Sequence, residues 1–222
     1  MEAGLVEGLM IIKILTGLGV TFFLTIVCFV TASLIGIVTC AGFCSKNKII
    51  RTIAKVYNGI IIKIPPLVML MLFALIIMGD RNNGSILIAY IGLSLFVAAN
   101  LTGVFFGGVC AVADGEIEAA RTIGMSKMQT FFHIMLPQII ESIVPVYMSM
   151  FVMCMQITSV ASVIGVKEFL STTDGISNAV LGIVLSIVGY FLIGTLGDFV
   201  ITRMGKRKHI KSKDYLEKSE VR

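Results

Sequence analysis

The chain has 222 residues, of which 57% are hydrophobic and 14% are charged, whereas ordinary soluble domains are about 25% charged. A water-soluble fold of this size has no means of hiding so much apolar surface, so the composition predicts an integral membrane protein. The net charge of +5 does not indicate a nucleic-acid partner, because much of it lies in the last twenty residues.

Apolar segments that cross about 30 Å of hydrocarbon need about 20 residues, and in lipid such segments form helices. The sequence contains five of them, at about 8–43, 56–79, 86–112, 139–164 and 177–201. They predict an all-α integral membrane fold with a single transmembrane domain over 1–205 and a basic tail over 206–222. Two adjacent prolines, Pro65 and Pro66, are expected to break the second segment.

The Lys and Arg residues outside the predicted spans indicate the orientation of the chain, because cytoplasmic loops carry an excess of both. The first loop, the stretch after the third span and the tail hold 14 of them, whereas the other two loops hold only Arg81 and Lys167. We therefore expect the N-terminus outside and the C-terminus in the cytoplasm. The basic tail is also expected to attract anionic lipid.

The polar stretch over 114–138 separates the third and fourth spans. Asp114 and Gly115 are expected to cap a first short helix over roughly 116–123, and Gly124 suits a left-handed stop. A helix this short is unstable alone in water, so the stretch is either an element that docks into a partner or a solvated cytoplasmic loop.

A second helix is expected to follow in the same stretch. The sequence Ser-Lys-Met-Gln at 126–129 is typical of a capping box that starts a helix, and Pro137 predicts a break before the fourth span. The first helix presents Glu118, Ala119 and Ala120, where two methyl side chains would allow the backbone of a partner to approach closely.

This stretch resembles the EAA signature of the permease subunits of bacterial ABC importers. That signature is Glu-Ala-Ala, a Gly four residues after the second Ala, and Ile-x-Leu-Pro near the start of the next span. The segments TSVASVIGV at 158–166 and IPPLVML at 64–70 resemble the polar-amino-acid branch of that family, and the similarity extends from the first span to the fifth. The matching signature positions are Glu118, Ala119, Ala120, Gly124, Ile134, Leu136 and Pro137.

The resemblance implies a MetI-like permease fold in the plasma membrane of a bacterium, crossed several times. It implies three protein partners: a cytoplasmic ABC ATPase, a second permease chain of the same or a different kind, and an extracytoplasmic solute-binding protein that delivers an amino acid. Residues 114–138 would be the coupling loop that docks into the ATPase. Its expected contacts are Glu118, Ala119, Ala120 and Gly124, with Arg121 adding charge and with Leu136 and Pro137 completing the signature.

The chain lacks the phosphate-binding sequence G-x-x-x-x-G-K-[ST], so it has no such device for holding a nucleotide. We therefore expect it not to be an enzyme and to bind no cofactor of its own, with ATP and Mg²⁺ held by the separate ATPase. The five Cys include no C-x-x-C pair, and no metal site is predicted.

Several charges that the family branch places near its pathway are absent here. Positions 62–64 read Ile-Lys-Ile where the branch has Arg-Gly-Thr, and positions 156–157 read Gln-Ile where it often has Lys-Asp. The third span keeps Gly107 and Gly108 but lacks the acidic residue and the Arg of the branch. Either the solute is less charged, or a different partner chain supplies those groups.

Polar residues and the broken helix give the candidates for lining the pathway. For the polar side chains within spans, hydrogen bonding between helices is the alternative role, and Lys63 either faces a cavity or extends to the cytoplasmic interface. Gly103 and Gly107 are expected to form a small-residue pair for close helix packing. The candidates are Asn58, Lys63, Pro65, Asn100, Gln156, Thr158 and Ser159.

Three other functions are alternatives to an amino-acid permease. A membrane-embedded protease would need an Asp pair, a Ser–His pair or a zinc motif inside the spans, and the sequence supplies none of these. A passive channel would explain the spans but not the signature over 114–138. An ABC importer for another small solute is the third alternative, and the missing pathway charges keep it open.

Overall fold

The computed structural model describes residues 2–78, 85–173, 184–197 and 199, and within them the side chains of 12–76, 86–172, 184–197 and 199. All regular structure in these ranges is helical, as predicted. A π-helical turn (Phe131–Met135) precedes α7, and a 3₁₀ turn (Thr158–Ile164) follows it. The helices are α1 (Glu2–Cys44), α2 (Lys48–Ile61), α3 (Pro66–Met78), α4 (Ser85–Cys110), α5 (Asp114–Thr122), α6 (Lys127–Thr130), α7 (Leu136–Ile157), α8 (Phe169–Thr173) and α9 (Val184–Gly197).

Three continuous helical stretches are long and apolar enough to cross a membrane: Ile12–Phe43, Ile86–Cys110 and Lys127–Ile164. They correspond to the first, third and fourth predicted spans. α9 is a shorter apolar helix that covers the middle of the predicted fifth span. The remaining residues of that span, apart from 199, and the whole basic tail lie outside the described residues.

The second predicted span, 56–79, is divided between two helices. α2 ends at Ile61, the turn over 62–65 follows, and α3 begins at Pro66 at an angle of 101° to α2. The expected break at the double proline is therefore confirmed. Its physical cause is that proline lacks the backbone N–H that would continue the helix. α2 also begins eight residues before the predicted span, so Lys48, Arg51 and Lys55 belong to a helix and not to a loop.

The contact between α1 and α4 forms the core of the molecule. A Cβ built on Gly36 of α1 would lie 3.1 Å from the ring of Phe105 and 3.2 Å from Leu101 Cβ on α4. Lipid tails are as apolar as leucine, so the close approach of small residues, and not the exclusion of water, favours such contacts. The buried residues along this contact include Leu24, Cys28, Ala32, Ala89, Leu93, Val97 and Ala98.

Hydrogen bonds between helices attach α2 and α7 to this pair. The Nδ2 of Asn58 on α2 donates to the backbone carbonyl of Ala99 on α4 at 2.6 Å. The hydroxyls of Tyr147 on α7 and Ser33 on α1 are 2.8 Å apart. Polar side chains inside the membrane find partners on neighbouring helices in this way.

The prediction that Gly103 and Gly107 form a packing pair is wrong within the described part of the chain, because a Cβ built on either glycine meets no atom within 4 Å. Gly108 is the glycine on which α7 packs. A Cβ built there would overlap the side chain of Ile143 and lie 3.2 Å from Ile139 Cγ2. The side of α4 that faces α7 therefore includes position 108 and excludes position 107.

Alanine substitutions at Gly107 and Gly108 separate the effect of packing on stability from the effect of helix propensity. We expect Gly108→Ala to lower the stability of the protein, because overpacking a close contact costs about 1–3 kcal/mol. Gly107→Ala, which adds the same methyl group to an open surface, should be neutral or slightly stabilising. The measurement is the thermal unfolding midpoint of each detergent-solubilised variant. Equal midpoints for the two variants would contradict the described contact between α4 and α7.

Candidate functional site

The first helix of the predicted coupling loop ends in a Schellman motif. Gly124 has φ +84°, and its N–H donates to the carbonyl of Arg121 at 3.0 Å, while the N–H of Met125 donates to the carbonyl of Ala120 at 3.1 Å. These two bonds define the motif, which needs a left-handed residue at the position of Gly124. The predicted left-handed stop is confirmed. The start differs from the prediction, because Asp114 lies inside the first turn and Ala113 occupies the N-cap with no side-chain bond.

The second helix of the loop begins with the predicted capping box. The Gln129 backbone N–H donates to Ser126 Oγ at 3.3 Å, and the Ser126 N–H donates to Gln129 Oε1 at 2.8 Å. The predicted break at Pro137 is wrong, since Lys127–Ile164 is one continuous helical stretch. The π-helical turn directly before Leu136 widens the helix where the proline ring would otherwise meet the preceding carbonyl.

The exposed surface of α5 includes most of the predicted contact residues. Glu118, Ala119 and Arg121 are exposed, as is Gly124 after the helix, but Ala120 is only 4% exposed. The expectation that both alanines face a partner is therefore wrong for Ala120, which faces its own chain. Leu136 is half-buried, and Pro137 is exposed at the start of α7.

The structure adds an exposed apolar residue to this surface. Ile123, at the C-terminal end of α5, is 79% exposed. An isolated exposed isoleucine is common on protein surfaces, but this one lies at the tip of a short polar helix next to the left-handed Gly124. It therefore enlarges the surface over which α5 would contact a partner, and the signature residues alone did not indicate it.

A side-chain hydrogen bond connects α5 to the transmembrane helix that follows. Gln138 Nε2, in the first turn of α7, donates to Glu116 Oε2 of α5. The pair is exposed to solvent, so the bond adds orientation more than stability. Neither residue was among the sequence candidates. The bond gives α5 a direct mechanical connection to α7 besides the chain itself.

Three of the predicted pathway residues are buried or half-buried and make hydrogen bonds within the chain. Asn58 bonds to α4 as described above, and Asn100 Nδ2 donates to the carbonyl of Phe96 in its own helix at 2.9 Å. Thr158 is fully buried and donates to the carbonyl of Met155 at 2.6 Å. Only the Asn58 bond is of the kind expected between helices, whereas the bonds of Asn100 and Thr158 stay within their own helical stretch.

The remaining pathway candidates lie at the surface. Lys63 and Pro65 are exposed in the turn between α2 and α3. Gln156 is exposed near the end of α7, and Ser159, whose hydroxyl donates to the Gln156 carbonyl at 2.7 Å, is partly exposed. Their contact with a solute stays a prediction.

The polar residues of α7 form a stripe along one side of the helix. With 100° between successive residues, all of its polar residues except Tyr147 fall within about 60° of one line. Counted in the same way, the buried Cys154 lies nearly opposite the stripe, and the buried Ile139 and Met155 lie about 100° to either side of Gln138. A cavity of about 350 Å³ opens beside the end of the stripe nearest α5, lined by Ala111, Gln138, Glu141 and Ser142. The stripe consists of the half-buried Gln138 and the exposed Glu141, Ser142, Ser149 and Gln156.

Glu168 is a fully buried carboxylate that joins three parts of the fold. It accepts hydrogen bonds from the backbone N–H groups of Leu170 at 3.0 Å and Ser171 at 3.1 Å, at the start of α8. The hydroxyl of Tyr190 on α9 donates at 2.9 Å, and that of Thr21 on α1 lies 3.4 Å away. A buried carboxylate needs such a set of donors to offset its desolvation.

The chain reaches this position through a turn at Gly165, which has φ +86° and ends the 3₁₀ turn after α7. Lys167 in this loop was counted for the orientation of the chain, whereas no role was predicted for Glu168. The only sign of Glu168 in the sequence was a single acidic residue two positions after the segment at 158–166, because its hydrogen-bond donors come from α1, α8 and α9.

The sequence of the chain is similar to that of known transport proteins. Residues 32–210 match the family model described as "Binding-protein-dependent transport system inner membrane component". The chain is 30% identical to "Probable amino-acid permease protein YxeN" of Bacillus subtilis, over 70% of this chain and 71% of that protein. It is 26% identical to "Histidine/lysine/arginine/ornithine transport system permease protein HisM" of Salmonella typhimurium, over 89% of this chain and 92% of that protein.

Two solved structures resemble the fold. One is described as "Crystal structure of an amino acid ABC transporter with histidines"; it has a TM-score of 0.82 at 22% identity and covers 91% of this chain and 97% of its own. The other, an inward-facing MetNI methionine ABC transporter, has a TM-score of 0.67 at 17% identity. It covers 87% of this chain and 97% of its own. Both likenesses confirm the expected MetI-like permease fold.

The donors around Glu168 predict a large stability effect at this position. Glu168→Leu would leave the Tyr190 hydroxyl and two backbone N–H groups without their acceptor, at a cost of about 1–3 kcal/mol for each buried group. Tyr190→Phe removes one bond and should cost about 1 kcal/mol. Lys167→Leu, a change of the exposed neighbour, is the matched control. Thermal unfolding of the detergent-solubilised variants provides the measurement, and equal midpoints for Glu168→Leu and Lys167→Leu would refute the stabilising role of the carboxylate.

Proposed function

Since the chain belongs to the family of binding-protein-dependent transport system inner membrane components, we propose that it is the permease subunit through which an ABC importer carries an amino acid across a bacterial plasma membrane. The cargo is inferred from the relatives, whose names include an amino-acid permease and a histidine/lysine/arginine/ornithine permease. The partners would be a separate cytoplasmic ATPase that binds ATP and Mg²⁺, a second permease chain and an extracytoplasmic solute-binding protein.

One observation carries the coupling part of this proposal: α5 is an exposed short helix with a fixed end and a polar connection to α7. The Schellman motif at Gly124 sets the direction in which the chain leaves α5. The bond between Glu116 and Gln138 joins α5 to the first turn of α7. A partner that binds α5 and shifts it would therefore also shift α7, through this bond and the connecting chain.

The translocation part of the proposal concerns the polar stripe of α7. Exposed polar side chains in a membrane-spanning helix are costly in lipid, so they face a partner or a water-filled cavity. We infer that the stripe from Gln138 to Gln156 faces the pathway that two permease chains form together. Neutral groups such as the Gln156 amide can hydrogen-bond either charged end of an amino acid and release it again, because transport requires binding that is not too tight.

ATP binding in the partner would draw α5 inward, and α7 would follow. The pathway would then open to the outside and receive the solute from the binding protein. Return of α5 after hydrolysis would open the cytoplasmic end, where Glu141 and Ser142 line the cavity beside Gln138. In this scheme the chain supplies the pathway and the connection to the ATPase, and performs no chemistry itself.

The role of the left-handed Gly124 in coupling can be tested against a second glycine of the same loop. Gly124→Val should reduce solute uptake by at least about tenfold, because a β-branched residue disfavours the left-handed conformation at φ +84°. Gly115→Val is the control, since Gly115 has no positive φ and a Cβ there meets nothing within 4 Å. Uptake and ATP hydrolysis are measured in vesicles that contain the complete transporter.

A second measurement uses the chain with a tag at its tail, purified from native cells. It identifies the proteins that co-purify with the chain. We expect an ATPase with a phosphate-binding loop to accompany the unsubstituted chain and Gly115→Val, and to be diminished with Gly124→Val. Normal uptake by Gly124→Val would overturn the coupling role of Gly124. Recovery of the chain alone, under conditions that preserve membrane complexes, would overturn the ABC assignment in favour of a passive facilitator.

The water-facing position of the stripe can be tested by cysteine reactivity. In a background with the exposed Cys44 and Cys110 replaced by serine, we expect Gln156→Cys to react with a membrane-impermeant thiol reagent. Val38→Cys, at a position that is also exposed within this chain but lies on an apolar side of α1, should not react, because a thiol ionises poorly in lipid. Reaction rates are compared in vesicles with and without the amino acid. A rate for Gln156→Cys no higher than that for Val38→Cys would place the pathway elsewhere.

A further inference from the structure

The turn between α2 and α3 lies near the middle of the spanning helix α4. Before the turn, Asn58 of α2 donates to the carbonyl of Ala99. After the turn, a Cβ built on Gly92 would lie 2.6 Å from Leu70 Cδ2 of α3. Ala99 is next to the middle residue of the span Ile86–Cys110, and Gly92 is about 9 Å from that middle along the helix axis. The turn is therefore held between two contacts at mid-membrane level.

This level excludes one of the two positions predicted for Lys63, which belongs to the turn. α2 starts beside the end of α1 that we expect in the cytoplasm, where a Cβ built on Gly42 would lie 2.9 Å from Ala54 Cβ. From Ala54 the helix runs on to Ile61, a distance of about 10 Å. The middle of the hydrocarbon is about 15 Å from the cytoplasmic interface, which is farther than a lysine side chain reaches. The position in a cavity therefore remains for Lys63.

The turn presents polar groups to its surroundings. The side chain of Lys63 is exposed, and the N–H groups of Lys63 and Ile64 bond back to carbonyls of α2. Among the described residues, no donor reaches the carbonyl oxygens of Ile62, Lys63 and Ile64. At membrane depth, non-helical backbone occurs only where it is buried in protein or lines a water-filled cavity, and a charged side chain there follows the same rule. The turn therefore faces water or a second chain, and not lipid.

α3 connects this turn to a second interruption of the spanning helices. It follows the turn directly, and the 3₁₀ turn over 158–164 packs against α3 and against α4. The 3₁₀ turn adds two partly exposed hydroxyl groups, those of Ser159 and Ser162. In other transporters, broken helices near the middle of the membrane form solute and ion sites.

We propose that Lys63 binds the carboxylate of the solute near the middle of the membrane, an inference that rests on the proposed function. Every amino acid carries a carboxylate, but the polar stripe of α7 offers only neutral groups and the acidic Glu141. Lys63 would supply the positive charge that the stripe lacks. Its ammonium group has three donors on a flexible stem, so it can follow a moving carboxylate and release it.

A cysteine next to Lys63 can report the charge and the water around it. In the background with Cys44 and Cys110 replaced by serine, Ile62→Cys places a thiol at a position that is 45% exposed. The complete transporter in vesicles is treated with two membrane-impermeant methanethiosulfonates, one that carries a sulfonate and one that carries a trimethylammonium group. The measured quantity is the reaction rate of the anionic reagent divided by that of the cationic reagent.

We expect Lys63→Gln to lower this ratio at least about fivefold, because the positive charge that attracts the anionic reagent is lost. Lys63→Arg should keep the ratio. Lys55→Gln, which removes an exposed lysine two helical turns earlier in α2, is the matched control and should also keep it.

The carboxylate is tested with a mixture of the common L-amino acids other than aspartate and glutamate, and with the α-carboxamides of the same amino acids. The amino acids should slow the anionic reagent at Ile62→Cys at least about twofold, which corresponds to half of the sites being occupied, and the carboxamides should not. This protection should disappear with Lys63→Gln and persist with Lys63→Arg. In the chain with its native cysteines, Lys63→Gln should reduce uptake of the labelled amino-acid mixture at least about tenfold, because a charge-assisted hydrogen bond is lost.

Three results would overturn the proposal. Reaction of Ile62→Cys no faster than that of Val38→Cys would mean that lipid or a second permease chain covers the turn. An unchanged reagent ratio in Lys63→Gln would mean that another group, such as a carboxylate of the second chain, already neutralises Lys63. Equal protection by amino acids and carboxamides, or protection by neither, would mean that Lys63 does not bind the carboxylate. If the ATPase still co-purifies with the chain in any of these cases, only the role of Lys63 fails and the proposed function stands.

Discussion

The close approach of α1 and α4 is the constraint on which the rest of the structure depends. In lipid, moving an apolar side chain from the hydrocarbon tails to a contact with another apolar side chain gains little free energy. Helices therefore associate where small residues let their backbones come close. Gly36, Ala32 and Ala98 make this possible along the contact. α2, α7 and α8 then attach to that pair through polar side chains, such as Asn58 and Tyr147, and through further close contacts at glycines, such as Gly42 and Gly108. A change in the central contact would therefore displace every surface that the proposed function uses.

The exposed surfaces of the described residues include three kinds that each imply a different neighbour. The aliphatic sides of α1 and α3 suit hydrocarbon. The polar stripe of α7 is unsuited to lipid and implies water or a protein partner. The short helix α5, with the exposed Ile123 at its end, lies outside the spanning helices and suits a protein partner. A chain that displays all three surfaces is one part of a larger membrane assembly, in agreement with its family.

The features that were predictable from the sequence are those whose causes are local. Gly124, the capping box at 126–129 and the break at Pro65 follow from the geometry of a few neighbouring residues, and the structure contains all three. Pro137 is a local signal that failed, because a wider helical turn just before it lets the helix continue. Ala120 belongs to a signature whose matching positions do not reveal which way each side chain faces.

The burial and the hydrogen bonds of Glu168 could not be predicted from the sequence, for a different reason. Its burial and its hydrogen bonds depend on Thr21, far earlier in the chain, and on Tyr190, after the next loop. Nothing in the residues beside it distinguishes such a carboxylate from one that faces solvent. The polar stripe of α7 could have been predicted, since its spacing can be counted from the sequence. Whether the stripe faces the rest of the chain or away from it could be decided only from the burial of Ile139 and Cys154.

The uninterrupted helix from Lys127 to Ile164 has a mechanical consequence. Its 38 residues make a rod about 57 Å long, and Gly108 of α4 touches it at Ile143, not far from its midpoint. The middle of this helix is held both by α4 and, through the Tyr147 and Ser33 hydroxyls, by α1. Its two ends lead to the loop that contains α5 and to the turn before the buried Glu168. One helical element therefore connects these two distant parts of the chain, so that a shift at one of them would be felt at the other.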